Sequence, residues 1–258
     1  KIKKFLVKKY PFTLAIGVLP PQSIPEIEKE EQIPEEEKKE KRIHIVQIIP
    51  EDQFKNIPKI KKEVLEFAKN IRPKLWFHFI TPVDIWNFLM DARYDLSGAI
   101  AMSFPLHDTG LLGALRVAEV HKTLVLRKFE KYVSSYVIAG SLVRGTATKT
   151  SDVDVVVIID DTDVKRMPRI ELREKLRGII YQYIADAQAI AGTKNKLEPQ
   201  IYLLTDFWDA IKDAHPVMTT FVRDGVPLYD RGTFIPWKLL LKMGKIKPSP
   251  EAIDMFMS

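Results

Sequence analysis

The 258-residue chain has no cysteine. That absence excludes disulfides, thiolate metal sites and cysteine nucleophiles. Histidine is scarce as well, five residues at His44, His78, His107, His121 and His215. None has the spacing of a metal-ligand pair, so each reads as structural or exposed. No apolar run approaches the roughly 18 residues of a membrane span. The expectation is therefore a cytoplasmic protein with no membrane attachment. What is present is 46% hydrophobic and 29% charged residues, enough for one large core or two ordinary ones. A net charge of +6 is compatible with nucleotide or nucleic-acid partners without requiring them.

The chain resembles itself. Residues 84–110 and 206–232 align without gaps at an offset of 122, with eight of 27 positions identical. These are Asp84/Asp206, Trp86/Trp208, Asp91/Asp213, Ala92/Ala214, Pro105/Pro227, Leu106/Leu228, Asp108/Asp230 and Gly110/Gly232. Residues 43–60 align with 153–170 at an offset of 110, six of 18 being identical. Upstream, an offset of 122 sets residues 12–18 on 134–140. Such similarity at a long period indicates a repeated structural unit. The expectation is a tandem duplication with copies of 1–122 and 123–258.

Each copy reads as helices alternating with short strands. In the second copy the strands are expected at 135–139, 152–159 and 200–205, with a long helix over 168–191. The Val/Ile runs are nearly continuous, as in strands buried on both faces. The fold class is α/β (α+β), each copy a small mixed sheet flanked by helices. The first copy carries an extra charged segment, 25–42, read as a loop or solvated helix.

The chemistry is concentrated in "GSLVRGTATKTSDVDVVVIID", residues 140–160. Alternate residues of a strand share a face, so Asp152 and Asp154 project together about 7 Å apart. Two such carboxylates repel each other unless a cation neutralises them, and oxygen ligands of this kind suit Mg²⁺. Gly140 and Ser141 open a turn whose backbone N–H groups and hydroxyl could hold a phosphate. Arg144 and Ser151 are further candidate phosphate contacts. Asp160 and Asp161 lie at the far end of the strand, roughly 20 Å from Asp154 at ~3.3 Å per residue, and read as caps.

An apolar strand, Gly-Ser, ten residues and then Asp-x-Asp on the next strand resembles the nucleotidyltransferase superfamily related to DNA polymerase β. "GSLVRGTATKTSDVD" and "VRDGVPLYD" (222–230) are similar to the minimal nucleotidyltransferases in particular. The resemblance covers most of the second copy. It implies that Gly140 and Ser141 hold the triphosphate of an NTP and that Asp152 and Asp154 bind two Mg²⁺ ions, with Mn²⁺ as the alternative. It further implies transfer of a nucleoside monophosphate to a hydroxyl of a protein, RNA or small molecule, with release of pyrophosphate. The family has a third carboxylate on the following strand. Here the aligned position is Gln200, and Glu198 is the nearest acid. Pro199 obscures whether the strand begins early enough to include it.

In the first copy the same alignment sets Arg42 against Asp152, His44 against Asp154, and Val18-Leu19 against Gly140-Ser141. None of these can hold Mg²⁺ or a phosphate in the same way, so this copy reads as degenerate. The reading in first place is an Mg²⁺-dependent nucleotidyltransferase. A non-catalytic or weakly catalytic NTP-binding interaction protein, antitoxin-like or a scaffold, is second. A nucleic-acid-binding module is third.

Overall fold

The Val/Ile runs become interior strands of two four-stranded mixed sheets. The computed structural model describes residues 1–30, 42–162 and 168–247, in two compact units. The first is Lys1–Arg116 with Gly145–Ser151, and the second is Val117–Arg144 with the residues from Asp152 onward. The division falls within one helix, between Arg116 and Val117.

In the first unit α1 (Ile2–Lys9) leads to β1 (Ala15–Val18), a 3₁₀ turn (Pro21–Ser23) and α2 (Ile24–Glu30). Residues 31–41 of the charged segment lie outside the described residues. After them come β2 (Ile43–Ile48), a 3₁₀ turn (Glu51–Asn56), α3 (Ile57–Ala68), β3 (Leu75–Ile80), α4 (Pro82–Met90), α5 (Tyr94–Ala101) and β4 (Phe104–Asp108). Helix α6 (Leu111–Phe129) carries the chain onward to β5 (Val133–Ile138), α7 (Gly140–Val143), β6 (Val153–Ile159) and α8 (Arg169–Ala191). The second unit closes with β7 (Leu197–Leu203), α9 (Leu204–Lys212), α10 (Pro216–Asp224), β8 (Val226–Asp230) and α11 (Phe234–Lys242).

The strand orders are β3-β2-β1-β4 and β7-β6-β5-β8. In each sheet the outer pair β2/β3 or β6/β7 is parallel and the other pairs are antiparallel. The two registers agree residue by residue. Ile43 faces Leu75 as Val153 faces Leu197, which keeps the offsets of 110 and 122. Val18 faces Ile45, whereas Ile138 faces Val155. Val18 therefore corresponds to Ile138, an offset of 120 rather than the expected 122. The first-unit counterparts of Gly140 and Ser141 are Pro20 and Pro21, not Val18 and Leu19.

On one face of the second sheet Val137, Val156 and Ile158 pack under Phe207, Met218 and Phe234 of α9, α10 and α11. Burial of such side chains contributes about 1.5–3 kcal/mol each. The repeated "PL-x-D" has a structural basis. Asp108 accepts from the N–H groups of Gly110, Leu112 and Gly113, and Asp230 from those of Thr233, Phe234 and Ile235. Each satisfies the orphan donors of the next helix. Asp161 binds Thr205 at the start of α9, and Asp160 caps the turn at Thr162. Equivalent tryptophans do not share an environment: Trp86 is buried, while Trp208 is 42% exposed.

Candidate active site

Strand β5 brings the chain to Ala139, whose N–H donates to the Asp154 carbonyl at 3.0 Å. The backbone then turns with positive φ, +68° at Gly140, a conformation that strains any residue with a Cβ. A Cβ there would also lie 1.9 Å from Asp154 Oδ2. Glycine is thus required both by the turn and by the carboxylate lying against its Cα. The one-turn helix α7 begins at this point.

Strand β6 is buried along its length except at Asp154, which is half-buried, and Asp152 just before it is exposed. Alternation puts both carboxylates on one side of the strand. Among the described residues neither makes a side-chain hydrogen bond or ion pair. Strand β7 starts at Leu197, earlier than expected, and sets Glu198 level with Asp154 and Gln200 level with Val156. In a parallel pair, level residues share a face, so Glu198 lies on the face of the Asp pair, with its side chain exposed. Pro199 is tolerated because β7 is an edge strand. Its carbonyl accepts from Tyr181 at 2.8 Å, so its nitrogen is on the outer side, where no ladder bond is lost.

Asp154 and Gly140 stand at one end of a cleft of about 220 Å³ between the sheet and α10. Arg144, Gln200, Tyr202, Phe221 and Asp224 also line it. The Tyr202 hydroxyl donates to Gln200 Oε1 at 3.3 Å, which leaves the amide nitrogen as a donor. Arg223 holds Asp224 with two hydrogen bonds of 2.7 and 2.8 Å. That contact, with Lys238 and Arg144 nearby, keeps the Asp224 carboxyl below its ordinary range. Lys238 donates to the carbonyls of Val222 and Gly225 at the end of α10, and burial lowers its pKa. The Ser151 hydroxyl accepts from the Thr148 N–H at 2.9 Å, as a turn residue does.

The structure therefore brings Gly140, Arg144 and Asp154 to one cleft, with Asp152 and Glu198 on the same sheet face. Sequence reasoning missed Tyr202, Phe221 and Asp224 as cleft residues. Asp224 had a signal, since it lies inside "VRDGVPLYD". The donor set is all oxygen, which fits a hard divalent cation. Among the described residues no group of three or more His, Asp or Glu is placed to hold a metal. The pair could hold a cation only with further oxygens from a bound phosphate or water.

In the first unit the corresponding positions hold other chemistry. His44 Nδ1 lies 3.0 Å from His78 Nε2, both rings buried. Arg42 stacks over Trp76, 4.7 Å from the ring centroid.

Residues 120–214 match the family model described as "Nucleotidyltransferase domain". Residues 120–214 are thus similar to a nucleotidyltransferase domain, on a frame of mixed sheet and flanking helices. No curated protein matches the chain. A solved structure described as "Crystal structure of the toxin-antitoxin with AMP-PNP" is similar at 15% identity and a TM-score of 0.29, covering 48% of this chain and 84% of that one. No described helix is long and apolar enough to cross a membrane.

Proposed function

We propose that the second unit transfers a nucleoside monophosphate from an NTP to a hydroxyl of a protein, RNA or small-molecule acceptor. The acceptor oxygen forms a bond to the α-phosphorus, the bond from that phosphorus to the β-phosphate oxygen breaks, and pyrophosphate leaves with the electron pair. The hydroxyl proton passes to solvent or a nearby carboxylate. The observation that carries this reading is Asp154, an acid without a described protein partner, set against Gly140 at the end of an open cleft.

Gly140 and Ser141 would offer backbone N–H and hydroxyl donors to the triphosphate, and Arg144 would add charge. Asp152 and Asp154 would hold Mg²⁺ or Mn²⁺. When bound, the cation supplies charge neutralisation at the phosphates and lowers the pKa of the attacking hydroxyl. Glu198 would serve as the third carboxylate from the neighbouring strand. The first unit, with Pro20, Pro21 and His44 at these positions, would be the degenerate product of a tandem duplication, the copies spanning 1–122 and 123–258.

The test is incubation with each α-labelled NTP and Mg²⁺, following label transfer and pyrophosphate release. Asp154→Asn should lower transfer roughly 10²–10³-fold, the scale of removing one preorganised charge-stabilising group. Equal labelling by both proteins would refute the assignment. The second reading, an NTP-binding interaction protein without turnover, is favoured by the absence of a three-acid group among the described residues. It predicts Asp154-dependent NTP binding without pyrophosphate release for any acceptor tried.

A further inference from the structure

The two sheets share one register, so the same place in the fold can be compared in the two units. Leu19, Val46, His78, Ile80 and Leu96 line a cavity of only about 50 Å³. By the offsets of 120, 110 and 122 these are the counterparts of Ala139, Val156, Gln200, Tyr202 and Met218, all of which line the open cleft of the second unit. Ile27 and Glu30 of α2 complete the wall of the small cavity, and Ile27 is buried.

Helix α2 also makes polar contacts with the rest of the unit. Glu28 Oε1 lies 3.8 Å from His44 Nε2, and Glu30 accepts from Arg93 at the start of α5. His44 stands where Asp154 stands in the other sheet. The chemistry of the position differs: the second unit has a carboxylate there that lines its cleft, and the first has a buried imidazole near a carboxylate from its own chain.

We propose that α2 is a built-in occupant of the first unit's cleft, with Ile27 filling its apolar part and Glu28 answering His44. The first unit would then be closed to Mg²⁺–NTP by its own chain. The docking of α2 stands independently of the nucleotide reading; only the statement about NTP rests on it.

The test is peptide-resolved hydrogen exchange on the full chain, alone and with Mg²⁺–ATP, Mg²⁺–GTP, Mg²⁺–CTP and Mg²⁺–UTP in turn. Without nucleotide, amides over 24–30 should be protected, and Ile27→Ser should speed their exchange about tenfold or more while 153–159 stays protected. If Ile27→Ser unfolds the first unit, Glu28→Gln is the second probe, with a smaller acceleration of the same segment expected. Exchange of 24–30 at the rate of an unstructured peptide in the unaltered chain would overturn the proposal. So would Mg²⁺–NTP protection over 19–24 and 44–46 in the unaltered chain. If no nucleotide protects any segment, the nucleotide reading fails while protection of 24–30 still decides the docking.

Discussion

At residue 140 a single methyl group is enough to test how the turn and the carboxylate depend on each other. Gly140→Ala places a Cβ at positive φ, which costs about 1–2 kcal/mol, and drives it into Asp154 Oδ2. We expect a modest loss of urea stability and a much larger loss of Mg²⁺-dependent NTP binding; retained binding would dissociate the glycine from the site. His121 gives a second test, through pH. Ile180 O, 3.0 Å from Nε2, can only accept, so Nε2 carries the proton and Nδ1 accepts from the Tyr136 hydroxyl at 2.8 Å. Burial lowers the His121 pKa. Its folded-state pKa thus lies below the unfolded value of about 6.5. Its contribution is full above that value and is lost as pH falls through the folded pKa. Glu119 on the same helix is raised by burial and acts with the opposite sign, its stabilisation fading as pH rises through the folded pKa. Between pH 7.5 and 5.5 the urea midpoint should fall more steeply in the unaltered chain than in His121→Gln. Equal slopes would show that His121 does not titrate with folding.

Among the elements, the capping aspartates predict a symmetric outcome. Asp230→Ala removes three N–H contacts at the start of α11 and the 2.6 Å bond from Ser135. It should cost about 1–2 kcal/mol by urea unfolding, and Asp108→Ala should do the same at α6. A loss confined to one of them would break the equivalence of the units. Strand β7 carries the test of the third carboxylate: if Glu198 acts in transfer, Glu198→Gln lowers labelling while NTP binding is kept. The Val/Ile runs, the Gly-Ser turn and the Asp pair were legible because burial on both faces and paired charge leave strong patterns. The start of β7 was not, because Pro199 reads as a strand breaker until one knows that its nitrogen faces an open edge. The alignment of β1 missed by two residues for a simple reason: a shift of two keeps every side chain on its face, so alternation cannot detect it. Tyr202 and Phe221 were illegible as cleft residues because apolar positions on a strand and a helix look alike whether they line a core or a ligand site.

For the whole molecule, composition gave only bounds. A net charge of +6 allows nucleic acid as acceptor, in which case binding should weaken steeply with salt. Sheet pairing says more about how such a chain meets other chains. Among the described residues the order of strands leaves four edges, β3, β4, β7 and β8. Three of them hold a proline inside the strand, Pro105, Pro199 and Pro227, each interrupting the row of donors that an incoming strand would need. Strand β3, "LWFHFI", holds none. Among the described strands, growth of a sheet across a chain boundary, whether into a second copy or an extended peptide, therefore has one edge without an internal proline, and aggregation on partial unfolding should start from residues 75–80.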